Sequence, residues 1–121
     1  MNKALEKHIL KIVEKYKDSM FLNMYSFNVQ YQPEETKFMA CKFSYPYLHC
    51  SIFYNIDAEK EFKEGKDMVQ YVIHEMSHLI TDPLYNIAFD RFLVKDTLEN
   101  ERERLTDWIA NIVFKLARVN K

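Results

Sequence analysis

Two histidines in the second half of the chain are spaced so that both can bind one metal ion, and a glutamate directly follows the first of them. Residues 74–78 read His-Glu-Met-Ser-His. On a helix, residues four apart lie about 40° apart around the axis, so His74 and His78 can both reach one ion. Zinc takes imidazole nitrogen at about 2.0–2.1 Å, and Glu75 can hold and deprotonate a water molecule at the metal. The pattern therefore predicts a catalytic zinc site.

The same pattern can also arise by chance on a solvated helix. With four His and eleven Glu in the chain, a shuffled sequence would contain it about once in a hundred tries. The helical wheel favours the metal site, because both histidines lie nearly opposite the stripe predicted to face the core. A solvated face would be rich in Lys and Glu, whereas this face carries two His, Tyr71 and a Ser. The predicted core stripe consists of Val69, Val72, Ile73, Met76 and Ile80.

Two histidines leave a catalytic zinc site one protein ligand short, since such sites typically have three. In the extended pattern HExxHxxGxxH, a third histidine supplies the missing ligand. That pattern needs Gly at 81 and His at 84, and it is excluded because the chain has Thr81 and Leu84 at these positions. The third ligand is then expected to be a carboxylate from the last helix. That helix offers Glu99, Glu101, Glu103 and Asp107.

Helical geometry favours Glu103 among these carboxylates. At 100° per residue, the apolar stripe that is predicted to face the core is centred about 140° from Glu103 around the helix axis. Thr106, Ala110 and Ala117 lie on the same side as Glu103, and small residues let another helix approach closely. Glu99 lies near this side as well and remains the alternative. The predicted stripe consists of Leu105, Trp108, Ile109, Ile112, Val113 and Leu116.

Residues 74–79 (His-Glu-Met-Ser-His-Leu) and 103–110 (Glu-Arg-Leu-Thr-Asp-Trp-Ile-Ala) together resemble the HExxH…E pattern of the gluzincins. The resemblance is greatest to their very small members, the minigluzincins. It implies that His74, His78 and Glu103 bind zinc, that Glu75 is the general base and acid, and that a substrate peptide lies along the edge strand of a sheet. The motif contains no residue that would stabilise the oxyanion. Tyr85 is a candidate for that role, although the simpler interpretation is that it is an ordinary aromatic residue of a loop.

The periodicity of the chain predicts an α+β fold that positions this motif. Apolar spacings of three and four predict a helix over residues 3–18, and alternation predicts a strand over 25–31. Residues 38–44 and 48–56 are further strand candidates, the second of them rich in Ile, Phe and Tyr. Short turns, one of them at Tyr45-Pro46-Tyr47, suggest a mainly antiparallel meander. The polar stretch 57–66 reads as a loop or a frayed turn. Helices are predicted over 68–81, capped by Asp67 and ended by Asp82-Pro83, and over 97–118.

Composition limits the class of protein. The length of 121 residues fits one domain, and the formal net charge of −1 gives no electrostatic reason to expect nucleic-acid or membrane partners. We expect no signal peptide, no membrane span and no disulfide, because Cys41 and Cys50 fit two buried thiols on neighbouring strands better. The expected location is the cytoplasm.

Two functions are compatible with these patterns. The first is a zinc metallopeptidase acting on a peptide or protein, with Glu75 as the general base. The alternative is a non-catalytic, zinc-stabilised interaction module, for example of a phage or mobile element. Zinc binding alone does not require Glu75, so its presence favours the enzyme.

Overall fold

The computed structural model describes residues 2–44, 48–91 and 95–119, without the side chains of 84–91, 95–98 and 117–119. The predicted turn at Tyr45-Pro46-Tyr47 lies outside the described residues. In chain order the elements are α1 (Lys3–Tyr16), β1 (Ser26–Tyr31), β2 (Met39–Ser44), β3 (His49–Tyr54), α2 (Ile56–Lys63), α3 (Val69–Arg91) and α4 (Lys95–Val119). The predicted α+β class is confirmed. Among the described residues, no helix is both long and apolar enough to cross a bilayer.

The three strands form a mixed sheet of order β1-β3-β2, so the predicted meander is wrong. β3 pairs in parallel with β1 and antiparallel with β2. The central place of β3 follows from its side chains, because Cys50, Ile52 and Tyr54 are all fully buried. This order leaves β2 at an edge of the sheet.

The core lies between the sheet, α1 and α3. Asn2 caps α1, its side chain accepting a hydrogen bond from the backbone N–H of Leu5 at 3.0 Å. The apolar stripe of α1 is buried as predicted, and it consists of Leu5, Ile9, Ile12, Val13 and Tyr16. The middle of α3 contributes Val72, Ile73 and Met76, each fully buried. The predicted stripe of α3 is shifted at its end, where Leu79 is buried and Ile80 is exposed.

The stretch predicted to be a loop before α3 is instead largely helical. Asn55 caps α2 by accepting a hydrogen bond from the N–H of Ala58, and Ala58 is fully buried. Acidic residues occupy the first turn of α2 and basic residues the last, an order that the helix dipole favours. Gly65 follows with φ +88°, the left-handed conformation that ends many helices. The helix was not predicted because α2 is too short to show a clear apolar periodicity. Its signals in the sequence are the local ones of the caps and of the charges at its ends.

α3 does not end at Asp82-Pro83 as predicted but continues through Pro83 to Arg91. A proline inside a helix removes one backbone hydrogen bond and costs about 3 kcal/mol or more. α3 and α4 pack against each other, and contacts between helices can offset such a cost. The continuation matters because it keeps Asp82 in helical register, one turn beyond His78.

α4 packs on α3 through its small side chains, and most of its predicted apolar stripe faces outward. Thr106 is fully buried and Ala110 is 8% exposed. Ile109 and Val113 are half-buried. We refer to the four exposed side chains as the outer stripe; they are Leu105 (38% exposed), Trp108 (61%), Ile112 (46%) and Leu116 (59%). The expectation that this stripe enters the core is therefore wrong, because close approach to α3 favours the small-residue face.

Both cysteines are free, and Cys50 is buried as predicted, whereas Cys41 is only partly buried. They are not directly opposite each other, since the register pairs Cys41 with Ile52 and Phe43 with Cys50. A hydrogen bond to Cys50 and burial raise the pKa of the Cys41 thiol. Its Sγ donates to the backbone carbonyl of Glu75 at 3.4 Å, which joins β2 to α3.

Candidate metal centre

Three side chains from two helices converge at one point between α3 and α4. The Nε2 atoms of His74 and His78 are 3.3 Å apart. Glu103 faces them from α4, with Oε2 at 3.4 Å from Nε2 of His74 and Oε1 at 3.6 Å from Nε2 of His78. Within the part of the chain that the structure describes, these residues form the one group of His, Cys, Asp and Glu able to hold a metal, with ligand atoms within 4.8 Å of one another.

Each imidazole is oriented by a carboxylate at its other nitrogen. Nδ1 of His74 lies 2.6 Å from Oδ1 of Asp107, and Nδ1 of His78 lies 2.9 Å from Oδ1 of Asp82. A carboxylate accepts hydrogen bonds, so each neutral imidazole carries its proton on Nδ1 and presents a lone pair at Nε2. Two lone pairs and the Glu103 carboxylate therefore face one another, an arrangement that could hold a metal ion.

Zinc fits this donor set. Two imidazole nitrogens and one carboxylate oxygen are ligands typical of catalytic zinc, leaving a fourth position open. Bonds of 2.0–2.1 Å in a tetrahedron put the ligand atoms ~3.4 Å apart. The two Nε2 atoms, 3.3 Å apart, and Oε2 of Glu103, 3.4 Å from Nε2 of His74, agree with that spacing. The other oxygen of Glu103, Oε1, lies 3.6 Å from Nε2 of His78.

Glu75 lies next to this group without belonging to it. Its Oε2 is 3.9 Å from Nε2 of His74, and the residue is 8% exposed. Burial raises the pKa of the Glu75 carboxyl to about 7, against the opposing effect of the two imidazoles. Burial also lowers the pKa of His78, but Asp82 and the other nearby carboxylates outweigh it, and the pKa of His78 is raised. The site thus holds a buried carboxyl beside the predicted ligands, where a proton-transfer group is needed.

The two helices are fixed to each other close to the ligands. Thr81 on α3 and Thr106 on α4 are buried and share a hydrogen bond of 2.8 Å between their hydroxyls. Arg102 also reaches both helices, with Nη2 at 3.6 Å from Oε1 of Glu103 and Nε at 4.0 Å from Oδ1 of Asp82. These contacts hold the carboxylate of one helix against the histidines of the other.

The supporting residues were the part of the site that the motif did not reveal. In the sequence, Asp82 indicates a helix stop, although its place four residues after His78 is the spacing at which helical side chains meet. Asp107 is one of four candidate ligands on the last helix, and nothing in the sequence indicates that it orients His74. Nothing in the sequence singled out Arg102.

Neither of the other two candidate glutamates of α4 belongs to the ligand group. Glu101 accepts hydrogen bonds from Arg104 on the exposed side of α4, at 2.8 and 3.1 Å. Glu99 is not among the three grouped residues. The side chain of Tyr85 lies outside the described residues.

A groove passes over the candidate metal centre. A cavity of about 420 Å³ is lined by residues 37–41 and by His74, Glu75, His78, Asp82, Arg102 and Glu103. A second cavity, of about 380 Å³, continues on the side of Tyr71 and Asp107. Both cavities share Phe38, Met39, His74 and Glu75, so the groove runs along the start of the edge strand β2 with Glu75 near its middle.

A larger cavity of about 760 Å³ lies elsewhere, with α1 and Phe62 among its walls. Its one histidine, His8, has Nε2 at 3.5 Å from Oδ1 of Asp67. None of the three grouped residues lines it. Volume alone therefore does not identify the chemical site, and the smaller groove is the better candidate.

The orienting carboxylates lead to a prediction about metal affinity. Asp82→Asn and Asp107→Asn should each weaken zinc binding by about 10- to 100-fold, because an amide supports the imidazole less well than a carboxylate does. Competition with a fluorescent zinc chelator measures this change. Asp57→Asn, on the exposed first turn of α2, is the matched control and should leave the affinity unchanged. Wild-type affinity in both site variants would show that the two carboxylates do not support the ligands.

No protein-family model, curated protein or solved structure matches this chain.

Proposed function

We propose that this protein is a zinc metallopeptidase of the gluzincin type. The observation that carries the proposal is the convergence of two Nε2 lone pairs and the Glu103 carboxylate, with both Nδ1 atoms held by carboxylates. With Glu75, four carboxylates surround the two imidazoles, and Arg102 contributes one positive charge beside Asp82 and Glu103, so a divalent cation would offset the remaining negative charge. Zinc is the cation that best matches these ligands.

The residues of the chain have distinct roles in the proposed reaction. His74, His78 and Glu103 would hold zinc, which supplies Lewis acidity that lowers the pKa of water and polarises the scissile carbonyl. Glu75 takes the proton from the attacking water as the new C–O bond forms. It then delivers that proton to the leaving nitrogen as the C–N bond breaks. Asp82 and Asp107 keep the imidazoles in the required tautomer.

The proposed substrate is a peptide or protein segment in extended conformation. β2 is an edge strand whose first residues, with Lys37 and Phe38 before them, line the groove beside Glu75. A strand edge can pair with an added strand through backbone hydrogen bonds, which bind many sequences in the same way. The cytoplasm is the proposed location, supported by the free state of both cysteines.

A non-catalytic interaction module is the second candidate, and the exposed outer stripe of α4 is the observation that favours it. Such a module would use the ligands for stability and would have no need of Glu75. A carboxylate is costly to bury unless it is paired or functional. The burial of Glu75 beside the ligands therefore supports the enzyme over the module.

The proposal is tested by metal content and turnover together. We expect one zinc per chain by elemental analysis of protein purified without chelator. The same protein should cleave a library of mixed peptides, and chelation should abolish the cleavage. Zinc below a tenth of an equivalent after zinc is offered would contradict the metal site. Stoichiometric zinc without cleavage would favour the interaction module.

A further inference from the structure

The outer stripe of α4 presents an apolar surface along three turns of the helix. Its members, Leu105, Trp108, Ile112 and Leu116, are between 38% and 61% exposed. Their spacings of three, four and four residues place them along one side of the helix, as at a helix–helix contact. Trp108 is the one tryptophan of the chain. Exposed apolar groups in a continuous row mark an interaction surface more often than isolated exposed residues do.

The charges that flank the stripe indicate what covers it. Glu101 lies at about 20° from Trp108 around the helix axis and precedes it by seven residues, while Lys115 lies at about 20° on the other side and follows it by seven. In a parallel pair of α4 helices, Glu101 would meet Glu101 and Lys115 would meet Lys115. In an antiparallel pair, each glutamate lies level with a lysine of the other copy, in addition to its ion pair with Arg104 of its own helix at 2.8 Å. The surface is therefore complementary to itself in one orientation.

We propose that the outer stripe binds a second copy of this chain, with the two α4 helices antiparallel and Trp108 at the two-fold axis. With Trp108 at the two-fold axis, Leu105 of one copy lies within one residue of the position opposite Ile112 of the other copy. Glu101 of each copy lies opposite Lys115 of the other, so the dimer contains this ion pair twice. Such a contact is isologous, and it closes as a dimer.

The size of the stripe sets the expected strength of the dimer. The four side chains, about half exposed, present an accessible area of ~400 Å² per copy. This is about half of the ~800 Å² that each partner buries in a stable complex. The flanking charges and the half-buried Ile109 add to the contact. We expect a reversible dimer with a dissociation constant in the micromolar range. This inference does not depend on the proposed enzymatic function.

Sedimentation velocity across the micromolar range tests the proposal on the full chain. Wild-type protein should pass from monomer to dimer as its concentration rises, and the emission of Trp108 should shift to shorter wavelength as the ring becomes buried. Trp108→Asp should weaken the dimer by at least ~30-fold. Phe21→Asp is the matched control, because Phe21 is 85% exposed and lies outside the stripe, and it should leave the dimer intact.

A charge exchange tests the orientation. Glu101→Lys and Lys115→Glu should each weaken the dimer by placing like charges together, and the double variant should restore it. Thermal melting followed by circular dichroism identifies any variant that fails to fold. A wild-type chain that stays monomeric at all concentrations would overturn the proposal and leave the stripe to a different protein. Dissociation by Phe21→Asp, or no restoration in the double variant, would also overturn it.

Discussion

Replacing Glu75 by glutamine is expected to lower peptide hydrolysis by about a thousand-fold or more while zinc remains bound. Glutamine keeps the shape of the side chain but cannot accept the proton of the attacking water. Glu75 lies outside the group of three predicted ligands, so its loss removes no metal contact. The measurement is the rate of cleavage of a peptide library by zinc-loaded protein, with metal content determined on the same samples.

The fold of this variant should be preserved, which separates a chemical effect from a structural one. Cys41 contacts the backbone carbonyl of Glu75, and the substitution leaves that atom in place. A neutral amide is also less costly than a charge to bury at a position that is 8% exposed. We expect the melting temperature to be no lower than that of the wild type. Equal cleavage by the variant and the wild type would rule out Glu75 as the general base.

Replacing Glu103 by alanine is expected to weaken zinc binding by far more than ~100-fold, the upper range for residues that only orient a ligand. The reason is geometric, since the Glu103 carboxylate reaches both imidazoles, at 3.4 and 3.6 Å. Its removal leaves two ligands, one fewer than a catalytic zinc site requires. Competition with chelators of known zinc affinity covers the range needed.

Glu99→Ala is the matched control on the same helix. Helical geometry leaves Glu99 as the alternative third ligand. Glu103 already faces the Nε2 atoms of both histidines, at 3.4 and 3.6 Å, and Asp82 and Asp107 contact their Nδ1 atoms. We expect Glu99→Ala to change zinc affinity by no more than a few-fold. A larger loss in Glu99→Ala than in Glu103→Ala would reverse the assignment of the third ligand.

The spacing of the motif carried most of the information about the metal centre. His74 and His78 lie on one face of a helix because four residues span about one turn, whatever the rest of the chain does. The small-residue face around Thr106 and Ala110 likewise predicted a close contact with another helix, and these two side chains are buried against α3. The grouping of Glu103 with the histidines follows from these two local facts. Helix α1 and the three strands were also predicted well, since their apolar periods are long and regular.

Tertiary packing decided the features that depend on which surfaces meet. α4 has two faces able to pack, one of small and one of large side chains, and periodicity alone could not tell which would be covered. Strand order likewise depends on pairing between distant segments. A meander would place β2 between β1 and β3, whereas the structure has β3 in the centre of the sheet. The same holds for the orienting carboxylates. Asp82 reaches His78 because α3 remains helical through Pro83, and Asp107 reaches His74 because α4 lies with its small face on α3.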